Sequence, residues 1–375
     1  MTWDTHHSAS EKLAIEAEGA RRAGNHQRAE ELYRQAGAQE AQAFTALPND
    51  KQRTRGVTAV SAVALSYKGR EYATAERLAY ECLGQGQLPF FAERQLRDLV
   101  QMIWSARAAE TAGIRFAPGD VLISVKGGEI IYGGAPLGLI TQKIESIQAA
   151  LFRTVEMLLH RPLRKRGGPD ADVQSMFRPW LFQAPAGSYQ FAVRVEESRQ
   201  RELWERLDKP KVADVTGTFF RVLRAAASDP LRELPAVVPD EQYRDAFLNL
   251  SRNLAPSPGR KSFERLEVHD ASDPYEPVAS FAVETRQLLN AALRKSKPAD
   301  ISGEKPLTLQ GILRALHLDK DWLEIATTDP PDHVHIDKAG EVLDDVIGPM
   351  VNRRVVVTAV RRGRKYFYRD IELDE

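Results

Sequence analysis

The residues most able to do chemistry in this chain are eight histidines, one cysteine and two runs of cationic side chains. His333 and His335 stand two apart in DHVHID, so on a strand both imidazoles share one face, with Asp332 and Asp337 beside them. Two imidazoles at that spacing can hold a metal ion. No third ligand is identifiable, so the pair reads as a solvated turn beside a strand. His269-Asp270 is a pair that metal phosphohydrolases use, but that chemistry needs further histidines and aspartates before and after it. His6, His7 and His26 lie in a helical region instead. Gly127-Gly128 and Gly133-Gly134 lack the spacing of a phosphate-cradling loop, and Gly187-Ser188 is not a nucleophile elbow. Cys82, among Leu78, Ala79 and Leu83, reads as packing. A lone cysteine also excludes an intrachain disulfide and a cysteine-based zinc site. No catalytic residue, cofactor site or metal centre is assigned.

The cationic runs differ in their neighbours. Arg161-Pro162-Leu163-Arg164-Lys165-Arg166-Gly167-Gly168-Pro169 is a candidate contact for phosphate or an acidic partner, yet no aromatic residue interleaves with it. A solvated linker is the reading adopted. Near the C-terminus, Arg353, Arg354, Arg361, Arg362, Arg364, Lys365, Tyr366, Tyr368 and Arg369 do interleave cations with aromatics, a pattern that suits nucleic acid or another anion. Two facts weigh against it. Acidic residues outnumber basic ones over 306–375, and edge strands carry arginine and lysine simply to block aggregation.

These residues must be positioned by elements, and the central stretch is the organising one. PGDVLISVKGGEIIYGG predicts a hairpin, with strands Val121–Val125 and Glu129–Tyr132 around Lys126-Gly127-Gly128. Leu139, Ile140, Ile144, Ile147, Leu151, Val155 and Leu158 then recur at helical spacing. Tyr189, Phe191, Val193 and Val195 alternate with smaller or polar residues as a half-buried strand does, and Trp180 and Phe182 are placed beside the same sheet. Helices are predicted over Val212–Ala227 and Asp240–Leu254, a strand over Phe263–His269, and an amphipathic helix ending Val278–Leu293. From Pro306 the pattern turns to β: Leu307–Leu316, Trp322–Thr327, His333–Ile336, a helix over Glu341–Met350, then Arg353–Val360 and Lys365–Leu373.

The first hundred residues are helical, with breaks at Gly24-Asn25 and Gly69, and a further helix pair is drawn from Phe91–Ala112. Gly24, Ala29, Tyr33 and Ala36, and then Tyr67, Tyr72, Ala75, Ala79 and Leu83, resemble the pattern of tetratricopeptide repeats. That resemblance implies a protein-binding scaffold, with Tyr33, Tyr67 and Tyr72 as candidate partner contacts. The order β-β-β-α-β-β at the C-terminus is similar to that of an OB-type barrel, which implies a ligand face on its strands.

The expected architecture is multidomain α+β. Residues 8–112 form an antiparallel, tetratricopeptide-like helical bundle, 113–294 an α+β domain with a small antiparallel sheet, and 306–375 a small β-barrel. With 375 residues, 43% apolar content and 52 basic against 52 acidic side chains, whole-molecule attraction to nucleic acid or membrane is unsupported. No run is apolar enough to span a bilayer and the N-terminus has no signal character, so a bacterial-type cytoplasm is expected. The expected function is a non-enzymatic adaptor that holds a protein partner on its helices and a second ligand on its barrel. The alternative is nucleic-acid binding through the C-terminal basic and aromatic strip. An enzyme built on the central sheet near Trp180–Tyr189 would need convergent titratable groups in a pocket.

Overall fold

A computed structural model describes residues 2–86, 88–111, 119–130, 134–183, 189–197, 210–259, 262–271, 276–296, 306–317, 319–327, 332–339 and 344–374. The chain divides into two compact units, Met1–Arg115 with Ala184–Gln190, and Phe116–Gln183 with Phe191–Glu375. The central region and the C-terminal strands therefore belong to one unit.

Among the described residues, the first unit holds five helices: α1 (Trp3–Arg22), α2 (His26–Ala46), α3 (Gln52–Lys68), α4 (Tyr72–Gly84) and α5 (Phe90–Thr111). Asn25 caps α2 by accepting from the Arg28 amide, which explains the break after Gly24. Ala29, Leu32, Tyr33, Ala36, Ala59, Ala62, Val63, Ala75 and Ala79 are buried, so small residues let successive helices pack closely. The segment expected to supply a third helix pair is the single helix α5; Leu96 and Ile103 are buried while Trp104 is partly exposed.

The second unit begins with β1 (Val121–Lys126), α6 (Leu137–Leu158), α7 (Ala171–Met176), β2 (Phe177–Gln183) and β3 (Tyr189–Glu197). It continues with α8 (Val212–Ser228), α9 (Glu233–Val237), α10 (Glu241–Leu254), β4 (Arg265–Asp270), β5 (Ala279–Phe281) and α11 (Val283–Ser296). These five strands form one sheet in the order β2-β3-β1-β4-β5. The central position of β1 explains why Val121, Leu122, Ile123 and Val125 are all buried. The expected hairpin does not form. Glu129 and Ile130 lie outside any strand, and β1 pairs antiparallel with β4 instead, Ser124 opposite Glu267. Gly127 (φ +75°) packs against the Glu264 side chain, and Glu129 N–H donates to the Ser262 carbonyl. The glycine pair thus turns the chain out of the sheet. Residues 131–133, the Gly187-Ser188 turn and most of the linker near 295–305 lie outside the described residues.

The remaining strands are β6 (Pro306–His317), β7 (Trp322–Thr327), β8 (His333–Asp337), β9 (Arg354–Arg362) and β10 (Lys365–Leu373), with α12 (Asp344–Ile347) and a 3-10 turn (Gly348–Met350) between β8 and β9. They close on themselves in the order β10-β8-β7-β6-β9. Every pairing is antiparallel except β8 with β10. Leu313, Leu323, Ile325, Val334, Ile336, Val355, Val357 and Ile371 fill the interior at every second position. Gly311 is required in β6, because a Cβ there would meet the Ala326 carbonyl oxygen at 2.4 Å.

Four fully buried cations tie the helices together and to these strands. Arg252 of α10 donates to Asp370 Oδ2 (2.6 Å) and to the Ile371 carbonyl (2.7 Å). Arg286 of α11 reaches Glu372 Oε2 (3.0 Å) and the carbonyls of Ala255 and Leu373. Arg153 of α6 holds both oxygens of Asp345 (2.6 and 2.8 Å), and Lys143 donates to the Asn253 carbonyl over the Phe263 ring. Removing one partner of such a pair strands a buried charge and costs about 3–5 kcal/mol.

Candidate functional site

The outer face of β7 and β8 is the best-formed candidate surface. Alternation sends Leu323, Ile325, Val334 and Ile336 inward and leaves Trp322, Glu324, His333, His335 and Asp337 outside. Register places Trp322 opposite Asp337, and Glu324 opposite His335. The Trp322 ring lies 4.8 Å from His335 and 5.7 Å from His317, centroid to centroid. His333 Nδ1 meets Glu324 Oε1 at 2.9 Å, and His335 Nε2 meets Asp337 Oδ1 at 3.2 Å. The parallel register of β10 with β8 brings Phe367 beside Asp337 on this same face. Arg362 and Lys338 each stand over the Phe367 ring, at 5.3 and 5.6 Å, and Lys365 Nζ lies 3.8 Å from Asp337.

The residues that look like one strip in sequence are divided by the strands that carry them. Arg362 and Lys365 are a cross-strand pair on the outer face. Arg361 pairs with Tyr366, and Tyr368 with Ala359, in the inward-facing column, where the Arg361 guanidinium lies 5.8 Å from the Tyr366 ring. Arg364 is exposed in the turn between β9 and β10. Arg353 and Arg354 stand at the other end of β9, about 26 Å away at the usual rise per residue. Arg353 Nη1 reaches the Gly138 carbonyl at 3.4 Å, and Arg354 Nε lies 3.5 Å from Asp374. Arg369 falls at an irregularity of β10 between Tyr368 and Asp370. Trp322, His317, Phe367 and Lys338 were not singled out from sequence, and His335 was weighed only as half of a metal-binding pair with His333. The signal for them lay in the period-2 alternation of β7 and β8 combined with the β8–β10 register.

The three tyrosines expected at a partner surface lie in the packing between helices. Tyr33 is 3% exposed and donates to Glu18 Oε2 at 2.8 Å; Tyr67 and Tyr72 are 7% and 8% exposed, their rings 5.7 Å apart. Burial raises the hydroxyl pKa of both Tyr67 and Tyr72. Arg21 and then Tyr33 hold the Glu18 carboxyl down at about 2. Cys82 is buried, which pushes its thiol up to about 11.

On the central sheet, Ser124, Lys126, Arg265, Glu267 and His269 share one face. Glu267 accepts from Lys126 Nζ and Arg265 Nε, both at 2.8 Å, and lies 3.3 Å from His269 Nε2. Burial alone would raise its pKa, but His269, Lys126 and Arg265 bring it down to about 2. Among the described residues, Nδ1 of His269 is buried without a hydrogen-bond partner. The side chains of Trp180 and Phe182 lie outside the described residues.

Among the described residues, no group of three histidine, cysteine or acidic side chains is placed to hold a metal ion, and no helix is long and apolar enough to cross a membrane. No family model, no curated protein and no solved structure matches the chain.

Proposed function

We propose that the protein is a binding adaptor rather than an enzyme, and that its ligand face is the outer surface of β7 and β8 with the β9–β10 turn. On this reading the five C-terminal strands are an OB-type barrel, and the ligand is single-stranded nucleic acid. Support for the barrel type comes from strand order. Numbered from β6, the ring runs first, second, third, fifth, fourth, with only third and fifth parallel and the helix between third and fourth. OB-type barrels take oligonucleotides on the faces of their second and third strands and on the loops at that end. The observation that carries the reading is the aromatic pair on that face. Trp322 is flanked by two histidines and Phe367 by two cations, so flat bases can stack while cations meet the phosphates. The tetratricopeptide-like helices α1–α4 hold a protein partner on their exposed surface, with the three tyrosines shaping the scaffold from within.

Anisotropy of a labelled single-stranded oligonucleotide tests the ligand. Trp322→Ala and Phe367→Ala are each expected to lose about 1–3 kcal/mol of binding with the melting temperature little changed. Equal affinity of both variants and the parent would refute the assignment.

A further inference from the structure

The loop Arg161–Pro169 is cationic in sequence, yet three of its four cations are met by acids, while Lys165 stays exposed in it. Arg161 pairs with Asp170 and Arg166 with Asp319. Arg164 turns inward: Nε donates to Glu156 Oε1 (2.8 Å), Nη2 to Asp345 Oδ2 (3.1 Å) and Nη1 to the Gly167 carbonyl. Each of its three nitrogens is thus already committed, which leaves it little to offer an anion. Below it, Arg153 bridges the same two acids, so Arg153 and Arg164 balance Glu156 and Asp345 one for one.

Beside this network a cleft of about 620 Å³ opens between α6, the loop and α12. That volume lies within the range of small-molecule sites, about 300–1,000 Å³. Phe152, with Ala149 and two prolines, supplies an apolar wall, and Gln148 adds an amide. Two carboxylates remain on its lining, Glu145 and Asp344. Asp344 Oδ2 accepts from the Gly167 amide at 3.1 Å, a neutral donor, and among the described residues neither carboxylate is paired with a cation. The uncompensated charge of the cleft is therefore negative, next to an aromatic ring.

We propose that this cleft binds an organic cation, an amine, amidine or guanidine on a flat apolar body, its charge facing Glu145 and Asp344 and its body lying on Phe152. A ring face adds attraction for such a cation beyond area burial. The site is separate from the barrel face and stands or falls without it.

The probe is benzamidine, titrated calorimetrically into the full chain, with neutral benzamide and anionic benzoate as comparisons. For a ligand of this size a dissociation constant of about 1 mM is expected. Benzamide should bind at least about tenfold more weakly, and Glu145→Gln and Asp344→Asn should each weaken benzamidine about fivefold to tenfold. Asp344→Asn keeps the acceptor for Gly167, and Glu145 is exposed on α6, so Glu145→Gln serves if the other variant melts early. No benzamidine binding at about 10 mM, equal binding of benzamide, preference for benzoate, or unchanged affinity in folded variants would each overturn the proposal.

Discussion

β10 meets arginines at both of its ends, and they do opposite things. At its C-terminal end Arg252 and Arg286, 0% and 1% exposed, come from helices and close over Asp370 and Glu372. At its start Arg362 and Arg364 stand in water, with Arg362 over an aromatic ring. The same side chain is a structural tie where it is itself buried against a half-buried carboxylate, and a candidate ligand contact where it stands in solvent beside a ring. Burial and partner decide this, not residue type.

The largest expected effect breaks the first of these regions. Arg252→Ala empties a fully buried position and takes donors away from Asp370 and the Ile371 carbonyl, so it should destabilise the fold by about 3–5 kcal/mol, whereas Arg362→Ala should stay within about 0.5 kcal/mol. Urea denaturation of both variants checks the contrast, and similar losses in the two would abolish it. A smaller effect sharpens the comparison on the central sheet. Glu267→Gln should cost about 1–3 kcal/mol at neutral pH, because Lys126 and Arg265 lose their shared carboxylate. The Glu267 pKa is depressed to about 2 from the usual 4.5, so its stabilisation is fully present above about pH 4.5 and fades as pH falls through 2. The stability gap between parent and variant should therefore close across that window, and a gap that persists to pH 2 would assign the loss to packing.

The gentlest change acts on the open end. Arg362→Ala with Lys365→Ala should leave stability intact and reduce the salt slope of single-strand binding by about 0.7 per charge removed. An unchanged slope would place the phosphate path elsewhere.

Much of this architecture was legible in the sequence. Strands β6 to β10 fall within a few residues of the alternating runs, because each has one face in a closed apolar interior and one in water. Helix α6 matches its apolar period for the same reason. The partner of β1 was not legible. Gly127-Gly128 is compatible with a hairpin, and the neighbours of the central strand are distant in sequence: β3 on one side and, more than a hundred residues on, Arg265–Asp270 on the other. Arg252 and Arg286 look in sequence like the solvated side of amphipathic helices, since what buries them is a strand over eighty residues away. The candidate face escaped notice because Trp322, His335 and Phe367 lie on three strands and meet only through the β7–β8 and β8–β10 registers. Conversely, Arg361 and Arg362 are adjacent in sequence and face opposite sides, which is what a strand does to any contiguous run of charge.

The most direct test of the barrel as a nucleic-acid module is a salt titration of a labelled single-stranded oligonucleotide with the parent and Trp322→Ala. The account predicts micromolar binding by the parent that weakens steeply with salt. It predicts that Trp322→Ala shifts the whole line to weaker affinity at nearly the same slope, since a stacking ring and not a charge has been removed. No binding at low salt, or parent and variant titrating on one line, would contradict it.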